Sequence, residues 1–194
     1  INNNGWNSSH NAYSMNAVAD RPILIIGDSY VEGLSVDVNG HFAELLGTAL
    51  GAKQNVYRMG IGGAPLSQYL NMLRNEGLKC RPSLVIINIA HNDFAESYFK
   101  SNSIYDSCFM KLAIEDGKIK NEIQPAPYRE GIIDLIRSSA TWRLFRYRMH
   151  FDFSAVKKLL KYQDKHYEAN IDVNDIKDKK GNLLITEYVF NKIK

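Results

Sequence analysis

Three short runs carry residues able to act on a polar bond: Gly27-Asp28-Ser29-Tyr30, Gly60-Ile61-Gly62-Gly63-Ala64 and His91-Asn92-Asp93. A serine hydroxyl becomes a nucleophile when an imidazole base takes its proton. A glycine loop exposes backbone N–H groups to an anion or a developing oxyanion. The spacing here is G-x-G-G-x-P, without the third glycine of a dinucleotide fingerprint or the Lys-Ser/Thr of a phosphate loop. Each residue also has a plainer use: Ser29 as a helix N-cap, Gly63 in a tight turn, Asn92 satisfying its own loop backbone. Their arrival in order after three apolar runs favours the chemical use.

Those apolar runs are the elements that must position them. Ile23 to Ile26 are unbroken β-branched and aliphatic residues, the pattern of a parallel strand buried on both faces. Asn55 to Met59 read as a second strand, and Leu84 to Ala90 as the strongest strand in the chain. Helical spacing follows at His41 to Leu50, closed by Gly51, and at Leu66 to Leu73. Strand, turn and helix therefore recur, and Ser29, Gly63 and Asn92 fall at the carboxyl ends of strands, where open α/β sheets keep their chemistry. Residues 1–20 read as an irregular, Asn- and Ser-rich lead-in outside the core, with His10 on the surface. Further on, Glu115-Asp116-Gly117-Lys118 marks a hairpin or turn. Helices are expected over Tyr128–Arg148 and Ser154–Tyr162, and Leu183–Ile193 leans towards a helix.

At 194 residues and 45% hydrophobic content the chain can bury one sizeable core, so a single domain over 1–194 is expected. No apolar run is long enough to span a bilayer. Charge is uneven: residues 1–117 hold 8 basic and 11 acidic side chains (−3), and residues 118–194 hold 16 and 10 (+6). The basic half suits an anionic partner such as an acidic polysaccharide or a membrane surface, or simply solvated helix faces. No nucleic-acid motif accompanies it. Cys80 and Cys108 lack metal-ligand spacing, and leave one disulfide or two free thiols open. No metal and no cofactor are expected.

Together the three runs resemble the blocks of the SGNH/GDSL hydrolase superfamily, in their order and spacing. The resemblance implies a flavodoxin-like three-layer α/β/α fold with a parallel sheet and a core over 21–97; residues 98–182 read, from their own patterns, as a mostly helical insertion on the sheet's edge. It casts Ser29 as nucleophile, Gly63 as the oxyanion-hole glycine with Gly60 as the alternative, and Asn92 as the oxyanion-hole asparagine. Ala90 stands where the third block normally has glycine. The lead-in Asn3-Asn4-Gly5-Trp6-Asn7-Ser8 is similar to the approach segment of bacterial members acting on cell-surface glycans. The resemblance thus implies a serine esterase or O-acyltransferase acting on an acyl, preferably acetyl, group of a carbohydrate or small ester. A glycan-binding domain that keeps the fold without its base is the alternative. The fourth block, Asp-x-x-His, does not occur in the sequence. His166 follows Asp164 by only two positions, and His150 has no Asp three residues ahead. With three of about five expected strands found, the catalytic histidine is expected to lie outside this sequence. The absent initiator Met and the resemblance favour an extracytoplasmic location.

Overall fold

The computed structural model describes residues 1–15, 21–51, 54–98, 106–127, 139 and 179–193. Two compact units form: Ile1–Lys100, Phe109–Pro125 and Asn170–Lys194 make one, Ser101–Cys108 and Ala126–Ala169 the other. In the second, the described residues include a 3-10 turn at Asp106–Cys108, where the Ser107 carbonyl accepts from the Ala126 N–H at 2.7 Å.

The first unit is α/β. Strand β1 (Ile23–Gly27) leads into the one-turn helix α1 (Ser29–Glu32), then α2 (Phe42–Leu50). Strand β2 (Val56–Gly60), helix α3 (Leu66–Asn75), strand β3 (Leu84–Ile87) and the short helix α4 (Asp93–Glu96) follow. Strands β4 (Lys111–Glu115) and β5 (Lys118–Ile123) form an antiparallel hairpin, and α5 spans Lys179–Ile193. Asp116 and Gly117, both at positive φ, make the hairpin's tight turn. The parallel sheet runs β2-β1-β3, with Gly27 opposite Gly60 and Ile26 opposite Ile87. That register brings all three strands to their carboxyl ends at one level.

The unbroken apolar run of β1 is explained by its central place. Leu24 and Ile26 pack on one face with Tyr69, Leu70 and Leu73 of α3 and with Ile185 and Val189 of α5. Ile25 packs on the other with Val31, Ala43 and Val56. Each such fully buried aliphatic contributes about 1.5–3 kcal/mol. Glu122 of β5 ties the periphery: it accepts two 2.9 Å bonds from Arg74 of α3 and one of 3.0 Å from Tyr188 of α5. Those donors hold its carboxyl below the usual range against the opposing effect of burial.

Several expectations need correction. The third strand ends at Ile87 rather than Ala90, although the Asn88 N–H still reaches the Ile26 carbonyl at 2.8 Å. Its burial alternates: Val85 and Ile87 pack inward, while Leu84 and Ile86 are 52% and 36% exposed. The lead-in is irregular, yet Tyr13 belongs to the core. Among the described residues β2 is an edge of the sheet, and the Tyr13 hydroxyl both donates to the Arg58 carbonyl (2.7 Å) and accepts from the Arg58 N–H (3.1 Å). One side chain thus satisfies two backbone groups that would otherwise be buried without partners. Burial pushes that phenol up to about 12. His10 is half-buried, its ring edge-on to Tyr57 at 5.2 Å. The described part of 98–182 includes the β4–β5 hairpin; the helices expected at 128–148 and 154–162 lie outside the described residues. Both cysteines are free thiols, Cys80 buried. Among the described residues no helix is long and apolar enough to cross a membrane.

Candidate active site

The site grows from the end of β1. Asp28 caps α1, its carboxylate accepting from the Tyr30 N–H at 3.0 Å, and so places Ser29 at the first position of the helix. The N–H groups of a first turn have no intrahelical acceptor, and the helix dipole adds positive potential there. Ser29 is exposed, and its hydroxyl has no hydrogen-bond partner among the described residues.

Gly60, at the end of β2, lies directly under α1. A Cβ there would come within 2.1 Å of the Glu32 nitrogen and 2.5 Å of the Val31 carbonyl carbon, backbone atoms that cannot swing aside. The glycine is thus used for packing α1 onto the sheet. Gly60→Ala is expected to lower stability by about 1–3 kcal/mol or more through overpacking, read as a lower urea midpoint at unchanged slope.

Beyond Gly60 the loop sorts its donors. The Gly62 N–H is held by the Glu32 carboxylate at 2.9 Å, and the Ala64 N–H closes a turn onto Ile61 at 3.1 Å. Gly63 adopts φ +73°, a left-handed conformation costly for other residues. Its N–H donates to nothing among the described residues. A Cβ on Gly62 would sit 3.8 Å from Ser29 Cβ, so this loop borders the serine.

The third strand delivers Asn88 against Gly27 and then the turn Ala90–Asp93. Asn92 is half-buried, at φ −79° and ψ −20°, and its side chain makes no hydrogen bond among the described residues. Asp93 is fully buried. Its Oδ2 accepts from the Ala90 N–H (2.7 Å) and the Tyr69 hydroxyl (2.8 Å). Burial pushes the Asp93 carboxyl up to about 7, with the Asp28 and Glu96 carboxylates adding to the rise and the two donors opposing it.

The family model for GDSL-like lipases and acylhydrolases matches residues 23–134, more than half of the chain, and so takes in all three runs. The chain belongs to this GDSL family. It is therefore an ester hydrolase of the GDSL type, built on the α/β fold described above. No curated protein and no solved structure matches it.

In this GDSL chain the described histidines differ in their commitments. His41 is buried, and both ring nitrogens meet backbone: Nε2 lies 2.8 Å from the Tyr30 carbonyl, and Nδ1 accepts from the Ala43 N–H at 3.1 Å. The ring is a neutral N-cap of α2, its protonation disfavoured chiefly by burial. A base whose folded pKa is depressed contributes stability above its unfolded pKa, about 6.5, and loses it as pH falls below that value. Thermal melts from pH 7.5 to 5 are expected to show this loss, and His41→Asn, which keeps a capping oxygen, to flatten it. His91 is exposed; His150 and His166 lie outside the described residues. Among the described residues no group of three His, Cys, Asp or Glu could hold a metal ion.

Sequence reasoning missed Tyr69 and Glu32. Both act through partners distant in sequence, and only the acidic and phenolic residue types were visible beforehand.

Proposed function

We propose that Ser29 is the nucleophile of a carbohydrate O-acyl esterase, with the Ser29 N–H, the Gly63 N–H and the Asn92 side-chain amide as oxyanion donors. One observation carries this reading: three adjacent parallel strands end at one level, and each is followed by one of these groups. Ser29 Oγ attacks the ester carbonyl carbon as its proton passes to an imidazole base. The tetrahedral intermediate collapses, the alcohol leaves with that proton, and the acyl group remains on Ser29. Water then attacks the acyl-enzyme, releasing the acid and restoring the serine. A sugar hydroxyl in place of water gives acyl transfer.

Gly63 is preferred over Gly60 because the Gly60 position is occupied by α1 packing, whereas the Gly63 N–H is open. Tyr30, beside Ser29, is 70% exposed and offers an aromatic face of the kind on which a sugar's C–H face stacks. The test is product analysis with an O-acetylated oligosaccharide and a second, unacetylated one. Free acetate alone supports the esterase, acetate moved to the second sugar supports transfer, and no acyl loss counts against both. A second reading, a glycan-binding domain without turnover, is favoured by the Ser29 hydroxyl having no histidine partner among the described residues. Saccharide binding without any acyl release would select it.

A further inference from the structure

The two proposed oxyanion donors outside α1 sit on different loops, and two buried links join the helices that follow them. Tyr69 of α3 donates its hydroxyl to Asp93 Oδ2 at 2.8 Å, and both residues are at most 1% exposed. Beside this link, Ser97 Oγ donates to the Asp93 carbonyl (2.7 Å) and accepts from the Ser67 N–H of α3 (3.0 Å). α3 starts three residues after Gly63, and α4 starts immediately after Asn92. The same Asp93 Oδ2 also accepts from the Ala90 N–H, and the Asp93 N–H reaches back to the Ala90 carbonyl at 3.2 Å. The turn that displays Asn92 is therefore closed by its own backbone and by a carboxylate anchored to the other loop's helix.

We propose that Tyr69 and Asp93 are positioning residues: a buried strut that holds the Gly63 loop and Asn92 at one spacing, so that both donors meet the same oxyanion. This rests on the Ser29–Gly63–Asn92 reading. The strut is a poor choice for stability alone. Asp93 Oδ1 is buried with no hydrogen-bond partner among the described residues, and such an atom carries a desolvation cost that an apolar pair would avoid. Rigid spacing is what the cost obtains, because a displacement of about 1 Å at a reacting centre can cost on the order of 10²-fold in rate. The groups acting on the Asp93 carboxyl are Tyr69 from α3, Asp28 from the β1–α1 turn and Glu96 from its own helix.

The experiment compares Tyr69→Phe, Asp93→Asn and Asp93→Ala with Ser29→Ala and Asn92→Ala, by steady-state ester hydrolysis across pH. Tyr69→Phe keeps the packed ring and removes only the hydroxyl, so it guards against simple unfolding. It is expected to lower kcat about tenfold or more with KM unchanged. It should also move an acidic limb of kcat to higher pH, since the donor that favours the ionised carboxyl is gone. Asp93→Asn, which keeps an acceptor for Tyr69 and Ala90, should retain more activity than Asp93→Ala and lose the carboxyl's limb. Wild-type kcat and pH profile in Tyr69→Phe, with Ser29→Ala inactive and Asn92→Ala lowered about 10²–10³-fold, would overturn the strut and leave the site reading standing. Full activity in Ser29→Ala would overturn the site reading and the strut with it.

Discussion

Ser29→Ala is expected to reduce ester turnover by roughly 10⁴–10⁶-fold, the scale seen when a serine hydrolase loses its nucleophile. The change removes one oxygen from an exposed side chain that makes no hydrogen bond among the described residues. Stability should therefore stay within about ±0.5 kcal/mol of the parent, as for surface substitutions without special contacts. The α1 cap is untouched, because it comes from the Asp28 carboxylate and not from Ser29. Large loss of rate at constant stability is the combination to look for. Steady-state kinetics beside thermal melts of the same preparation measure both.

Asn92→Ala is expected to lower kcat by about 10²–10³-fold, or roughly 3–4 kcal/mol of transition-state stabilisation. The amide is proposed to bind the tetrahedral oxyanion and to contribute little to the ground-state ester, so KM should change little. Asn92 does not hold its own turn closed: that is done by the Asp93 carboxylate and the Ala90–Asp93 backbone bond. The variant should therefore fold like the parent. A matched rise in KM with kcat unchanged would instead assign Asn92 to substrate binding. Gly60→Ala makes a useful contrast, since its damage should appear first in the urea midpoint.

What could be read in advance was local. Ile23 to Ile26 announced a doubly covered strand because a parallel strand between two neighbours needs apolar residues on both faces. The Gly-Asp-Ser junction announced a helix start because capping is settled within three residues. The Asp116-Gly117 turn was legible for the same reason. What escaped depends on partners far along the chain. Tyr13 looks like any residue of a polar lead-in until the bare edge of β2 beside Arg58 is known. Arg58 sits in an apolar strand because Glu44 of α2 reaches its Nε at 3.4 Å, and that same carboxylate accepts from the Ser9 N–H of the lead-in. Asp93 was visible only as the residue after Asn92; its burial and its bond to Tyr69, 24 positions away, required the packed α3–α4 pair. The boundary of β3 was misplaced because Ile89 and Ala90 resume the apolar pattern beyond Asn88, after the sheet ladder has ended.

The most direct measurement is intact-mass spectrometry of the native protein after reaction with an organophosphonate ester probe, followed by peptide mapping. One covalent adduct is expected, carried by the peptide containing Ser29, and none in Ser29→Ala. An unlabelled native protein, or an adduct on another residue, would contradict Ser29 as the nucleophile.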